Sequence, residues 1–331
     1  MKSIFKNIVT LVLVLTLAVS SLVACGSVKN SHLQSSSNED AKYEIVCTIF
    51  PIYDWVKNIV GDNDNVNVTL LLDQGTDIHS FQPTTADIAL ISDADMFIYV
   101  GGESDEWAED AASEAVNKKQ IAVNLMEILD DEVVEEEIKE GMQAEKEDSE
   151  EDEVEYDEHV WLSLKNAQTI VSQLTDKISE MDEANQETYV QNSAMYMAQL
   201  ASLDAEYQAV IDIASQKTLL FGDRFPFRYL VEDYNLDYYA AFVGCSAETE
   251  ASFETIAFLA EKLKELGLSK VLIIENSDGK IADTVIEQSG TSATKAVLNS
   301  MQSVTANDVK DGITYISIMQ DNLEVLKEAL N

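Results

Sequence analysis

The sequence predicts an α/β protein of two (βα)4-type lobes, each built on a parallel sheet, joined by one long rigid helix. Three observations carry this. Short apolar runs rich in β-branched and aromatic residues recur in two sets of four, separated by helix-compatible segments. Runs that are apolar throughout fit strands buried on both faces of a parallel sheet. Between the two sets, Ser163 to Phe221 holds neither glycine nor proline, and Tyr196, Leu200, Leu203, Tyr207, Val210, Ile211 and Ala214 step by three or four, as one helix face does.

The elements follow in order. Residues 1–24 read as a signal peptide: Lys2 and Lys6 precede an apolar run too short to span a bilayer, which ends in small residues. The ending Leu22-Val23-Ala24-Cys25 looks like a bacterial lipobox, whose rule acylates Cys25 and makes it the mature N-terminus. Residues 25–42 are Ser/Asn-rich and read as a lipid-anchored flexible tether, with His32 solvated within it. The N-terminal lobe spans 43–184, with strands at 43–50, 66–72, 96–101 and 121–126. Within it lies an acidic block, 131–158, expected to be disordered because like charges repel. The linking helix is placed at 185–214 and the C-terminal lobe at 215–331, with strands at 218–222, 238–244, 270–275 and 293–299.

Composition narrows the function. A chain of 331 residues that is 46% hydrophobic can bury a sizeable core. Sixty-one acids against 21 Lys+Arg give a net charge of −40, which excludes nucleic acid and anionic headgroups as electrostatic partners and makes cations the natural guests. No H-E-x-x-H, G-x-S-x-G, phosphate loop or G-x-G-x-x-G is present, so an enzyme reading has little support.

Ligands of open parallel sheets bind beyond the strands' carboxyl ends. His79, in "DQGTDIHSFQPTTADI", sits in such a loop, with Thr84 or Thr85 placed to cap the next helix. His159, in "DEHVWLSLKNAQTIV", precedes an apolar pair and another helix, and Trp161 would pack that loop. Cys47 and Cys245 lie near strand ends, where three readings stay open: an inter-lobe disulfide, paired thiolate ligands, or two separate buried thiols.

These stretches resemble the zinc/manganese substrate-binding lipoproteins of ABC importers. "GTDIHSFQPTTADI" looks like that family's G-x-x-P-H-x-Y-x-P-[ST]-x-x-D-[IL], and "DEHVWLSLKNA" like its D-P-H-V-W-L-D-P-x-N-A. "IVCTIFPIYDWVKNIVGD" and "DVKDGITYISIMQDNLEVLKEALN" resemble its first strand and helix and its C-terminal end. The resemblance implies a metal cleft between the lobes, with His79 and His159 as ligands. It implies an extracytoplasmic binding protein, lipid-anchored and monomeric, that delivers Zn2+ to an ABC permease and its ATPase.

Two departures stand out. The family's third ligand, His or Glu, lies five residues before a Tyr; counting back from Tyr229 gives Arg224, which cannot bind a metal. Asp223 is the candidate replacement, with helix capping and pairing to Arg224 as the other reading. The fourth ligand belongs to a turn that here reads "LNSMQS" and offers only amides, Asn299 and Gln302. Glu275, ending "KVLIIE", is either a ligand or an acceptor behind one, and Asp278 and Glu248 stand in reserve. Two imidazoles with carboxylates suit Zn2+, and more oxygen would favour Mn2+. The departures and the Arg-rich "DRFPFR" also leave open a diverged lipoprotein for an organic or anionic ligand, and more distantly a secreted metallohydrolase.

Overall fold

The structure, a computed structural model, describes residues 32–35, 41–143, 155–246 and 250–331. The signal peptide, Cys25, Glu248 and the centre of the acidic block lie outside the described residues.

The first sheet has the order β1-β3-β2-β4-β5, formed by β1 (Leu33–Gln34), β2 (Tyr43–Cys47), β3 (Val66–Leu70), β4 (Met96–Tyr99) and β5 (Ile121–Asn124). All its pairings are parallel except β1 with β3. Its helices are α1 (Phe50–Val60), α2 (Thr85–Asp93), α3 (Glu106–Ser113), α4 (Leu125–Leu129) and α5 (Leu164–Met181). The second sheet is parallel throughout, in the order β7-β6-β8-β9. Before it runs α6 (Gln186–Ile213); the sheet itself comprises β6 (Thr218–Phe225), β7 (Asp237–Val243), β8 (Lys270–Ile273) and β9 (Thr294–Val297). Interleaved or following are α7 (Arg228–Asp233), α8 (Phe253–Leu266), α9 (Lys280–Ser289), α10 (Ala306–Lys310) and α11 (Tyr315–Ala329). The eight expected strands are present within a few residues of their expected ends. All of Val66–Leu70 and Met96–Tyr99 is buried, as strands covered on both faces require.

Helix α6 runs 28 residues, roughly 42 Å at 1.5 Å per residue. Its buried face holds Tyr189, Tyr196, Leu200, Leu203, Tyr207 and Ile211. Polar tips on that face are anchored: Tyr196 Oη donates to Asp54 on α1 at 3.0 Å, and Tyr207 Oη to the Met319 carbonyl on α11 at 2.6 Å. The helix is thus pinned to the first and last long helices of the fold.

Two expectations change. Part of the tether is structured: Leu33 and Gln34 add an antiparallel edge to β3, and His32 is not solvated. Its Nε2 lies 2.6 Å from Asp87 Oδ1, while Asp73 Oδ2 accepts from Leu33 N at 2.6 Å. The acidic block is folded at both of its described ends, against the disorder its charge predicts. Glu135 and Tyr156 form an antiparallel bridge, with Glu136 N donating to the Glu155 carbonyl at 2.9 Å. Among the described residues, no helix is long and apolar enough to cross a membrane.

Candidate metal centre

His79 is delivered by the loop after β3. Asp77 caps a single 3-10 turn, Ile78–Ser80, its Oδ1 accepting from His79 N at 3.0 Å. Buried Ile78 anchors that turn, and Thr84 caps α2 in a reciprocal capping box with Asp87. His159 immediately precedes a second 3-10 turn, Val160–Leu162, all of it buried. Trp161 holds this turn as expected: its Nε1 donates to the Ser300 carbonyl at 2.8 Å, and its carbonyl accepts from Tyr315 Oη at 2.7 Å.

The two imidazoles meet, with Nε2 to Nε2 at 3.1 Å. Each ring's other nitrogen is occupied. His159 Nδ1 donates to the Asp157 carboxylate at 3.0 Å. His79 Nδ1 lies 2.6 Å from Ser104 Oγ, and the Ser104 backbone N–H donates to Glu158 Oε1 at 2.7 Å. Oxygen partners on both Nδ1 atoms, with the two Nε2 atoms turned toward one point, make the outer arrangement that orients metal-binding histidines. At that separation the two nitrogens can share a proton or a metal ion. Tetrahedral Zn2+ would hold its nitrogens about 3.3 Å apart.

The third side chain of the cluster is Cys245. Its Sγ and the two imidazole nitrogens all lie within 4.8 Å of one another, and among the described residues this is the one group of metal-donor side chains that converges so. Cys245 follows β7 after Gly244. A Cβ on Gly244 would come within 2.9 Å of His159 Cε1 and 3.0 Å of the Phe225 carbonyl, so the missing side chain lets the Cys245 loop approach the imidazole.

Electrostatics differ among the three donors. Burial, then the charge of His159, hold the His79 imidazole far below its ordinary range, at about 3, against the pull of Asp77. Burial also disfavours charge on His159, but the Asp157 carboxylate outweighs it and raises that imidazole. Burial, with Asp157, Glu136 and Glu158 adding to it, pushes the Cys245 thiol up. A thiolate here therefore needs a metal to stabilise it.

The other expected ligands stand elsewhere. Asp223 lies in an irregular stretch of β6 between Phe221 and Arg224, where its Oδ1 accepts from Arg224 N at 2.9 Å and its Oδ2 from Ile274 N at 3.4 Å. Glu275 organises the turn after β9, accepting from Ser300 N at 2.7 Å, Ser300 Oγ at 2.9 Å and Gln302 N at 3.0 Å. Neither joins the converging group, and nor does Asp278, which pairs with Lys280. Cys47 and Cys245 are both free thiols. Cys47 is enclosed in the first sheet, paired with Leu70 and Ile98, rather than facing the cleft. Arg224, at the family's third-ligand position, is ion-paired across the cleft with Asp77 and reaches the Ser246 carbonyl at 3.4 Å. Sequence reasoning missed Asp157 and Ser104. The acid two residues before His159 was a signal for the first; Ser104 carried none.

Beside the three donors a cavity of about 490 Å³ opens between the lobes, lined among others by Asp77, Asp223, Arg224, Glu275, Asp278 and Lys280.

Comparison with known proteins gives a consistent picture. Residues 45–329 match the family model of the zinc-uptake complex component A, periplasmic. The chain is 32% identical over 313 residues to the high-affinity zinc uptake system protein ZnuA of Bacillus subtilis, covering 93% of each. It is 32% identical over 311 residues to the zinc-binding lipoprotein AdcA of Streptococcus pneumoniae, covering 93% of this chain and 58% of that protein. The chain thus spans little more than half the length of the curated streptococcal relatives it matches. Among solved structures, the Zn(II)-bound ZnuA-like domain of Streptococcus pneumoniae AdcA superposes with a TM-score of 0.68 at 31% identity, covering 87% of this chain and 99% of that one. With nearly its whole folded length matched, the chain belongs to the family of the zinc-uptake complex component A.

Proposed function

We propose that this chain is the extracytoplasmic metal-binding component of an ABC importer. Its cargo is Zn2+, held by His79, His159 and Cys245 and passed to a permease powered by its ATPase. The observation that carries this is the 3.1 Å approach of two imidazole Nε2 atoms, each with its Nδ1 engaged, beside a cysteine sulfur. Asp223 and Glu275, occupied by backbone donors, are read as scaffolding of the cleft; Cys245 takes the place of the lost third family ligand. The "LVAC" ending supports acylation at Cys25 and anchoring to the outer face of the cell membrane, in keeping with the lipoprotein name of the pneumococcal relative. The chain works as a monomer and carries out no catalysis.

A thiolate and two imidazoles favour Zn2+ over Mn2+, which prefers oxygen donors. An organic anion finds less support, because Asp77, Asp223, Glu275 and Asp278 outnumber Arg224 and Lys280 around the cavity, and Arg224 is already paired. Calorimetric titration with Zn2+ tests the assignment: tight binding in the wild type should vanish in the His79→Ala/His159→Ala double variant. Unchanged affinity in that variant would remove the site from consideration. Metal analysis of the purified protein should return zinc rather than manganese.

A further inference from the structure

The acidic insertion reads from sequence as a free, charged appendage. Its described ends are built into the C-terminal lobe instead. Its two arms pair with each other: Glu136 N donates to the Glu155 carbonyl at 2.9 Å and Asp157 N to the Val134 carbonyl at 3.0 Å. One hydroxyl from the opposite lobe clasps the base of this ribbon. Tyr229 Oη donates to the Asp157 carbonyl at 2.7 Å and accepts from Val134 N at 3.3 Å, with the ring buried.

Farther out, the first arm lies along the exposed edge of β7. Glu137 accepts from Tyr238 Oη at 3.1 Å, Lys139 pairs with Asp237, and Gln143 N donates to the Ala241 carbonyl at 2.9 Å. Gln143 Oε1 also accepts from Ser252 N at 2.6 Å, just before α8. Gly141, at φ +89°, passes so close to the Phe258 ring that a Cβ would sit 2.0 Å from it. The edge that the arm covers ends in Cys245, whose backbone N–H reaches Glu136 Oε1 at 3.4 Å. The second arm ends in Asp157, which accepts from both the backbone and the ring of His159.

We infer that the two described arms of the acidic insertion, residues 131–143 and 155–158, form an inter-lobe strap that sets the mutual position of His159 and Cys245, with Tyr229 and Glu136 as its positioning residues. This rests on the zinc reading proposed above. Tyr229 acts on His159 through Asp157, and Glu136 acts on Cys245 through its backbone. A ligand from each lobe is thus held by one ribbon, and loosening the ribbon loosens the metal from both sides. A charged antenna in solvent would form none of these contacts.

The test uses the full chain loaded with Zn2+ or Co2+ alone. Zinc release to excess chelator is timed, and the thiolate-to-cobalt charge-transfer band reports the Cys245 bond. Tyr229→Phe keeps the ring and should accelerate release about fivefold, the scale of one buried hydrogen bond. Glu136→Ala should weaken the cobalt band, and Glu136→Gln, which keeps an acceptor, should restore it. Release rates within about twofold of wild type, less than one such bond is worth, together with an intact cobalt band in both Tyr229→Phe and Glu136→Ala, would overturn the strap and leave the zinc assignment standing. A wild-type chain that takes up neither metal would overturn both.

Discussion

On the zinc reading proposed above, the two sides of the cleft would reach the metal by different means. On the N-terminal side, His79 and His159 stand where the family pattern puts them, one on a capped 3-10 turn and the other at the start of a buried one, each with an oxygen partner on its Nδ1. On the C-terminal side the pattern has broken. The end of β6 presents Arg224, paired with Asp77, and the proposed donor comes from the end of the neighbouring strand β7 as Cys245. Adjacent strands of a parallel sheet end at the same rim, so a ligand lost from one can be replaced from the next without changing the fold. The replacement is softer and has a higher proton affinity, and it enlists Gly244 to let it approach.

Three measurements would break or sharpen that contrast. The largest effect is expected from exchanging donors on the C-terminal side. Cys245→Ser should weaken Zn2+ binding by about a hundredfold, whereas Asp223→Asn should stay within about twofold, since only the former removes a direct ligand. The reverse ranking in a competition titration would restore Asp223 as the third ligand. A smaller loss, about tenfold, is expected from Asp157→Asn, which weakens the acceptor that fixes the His159 ring. Equal affinity in that variant would mean the ring is held by packing against Trp161 alone.

The smallest expected effect on binding, none, comes from a buried acid away from the cleft. Burial raises the Asp54 carboxyl to about 6, against the relief given by Tyr196. Its unfolded value is about 3.9, so the native state binds the extra proton between the two. Its contribution to stability is full below about pH 4 and is lost as pH rises through about 6. Two units correspond to about 3 kcal/mol. Asp54→Asn should therefore gain about that much relative to wild type between pH 4 and pH 7 in urea unfolding, with Zn2+ affinity unchanged. A parallel pH profile in both proteins would show that Asp54 is not perturbed.

What could be read in the sequence follows from how local its cause is. Strands β2 to β9 were visible because burial on both faces writes itself into every residue of a run. Helix α6 was visible because its core-facing stripe keeps one period without a breaker. His79 and His159 were visible because their loops carry motif residues in order. Cys245 was legible only as one of several thiol readings, since its meeting with His159 depends on how the lobes pack. Strand β1 was hidden because two residues in a polar stretch acquire strand geometry only from the edge of β3. The ends of the acidic block misled for a related reason. Charge repulsion predicts disorder, but Lys139 and Arg228 offset it, and the phenol hydroxyls of Tyr229 and Tyr238 give the chain something to bind.

Helix α6 has a mechanical corollary. A beam of 28 residues without glycine or proline, bolted at Tyr196 to α1 and at Tyr207 to α11, has no joint about which the halves can swing. Empty and loaded molecules should then have nearly the same radius of gyration. A transporter that must tell them apart would have to read the rim of the cleft, not the outline of the particle.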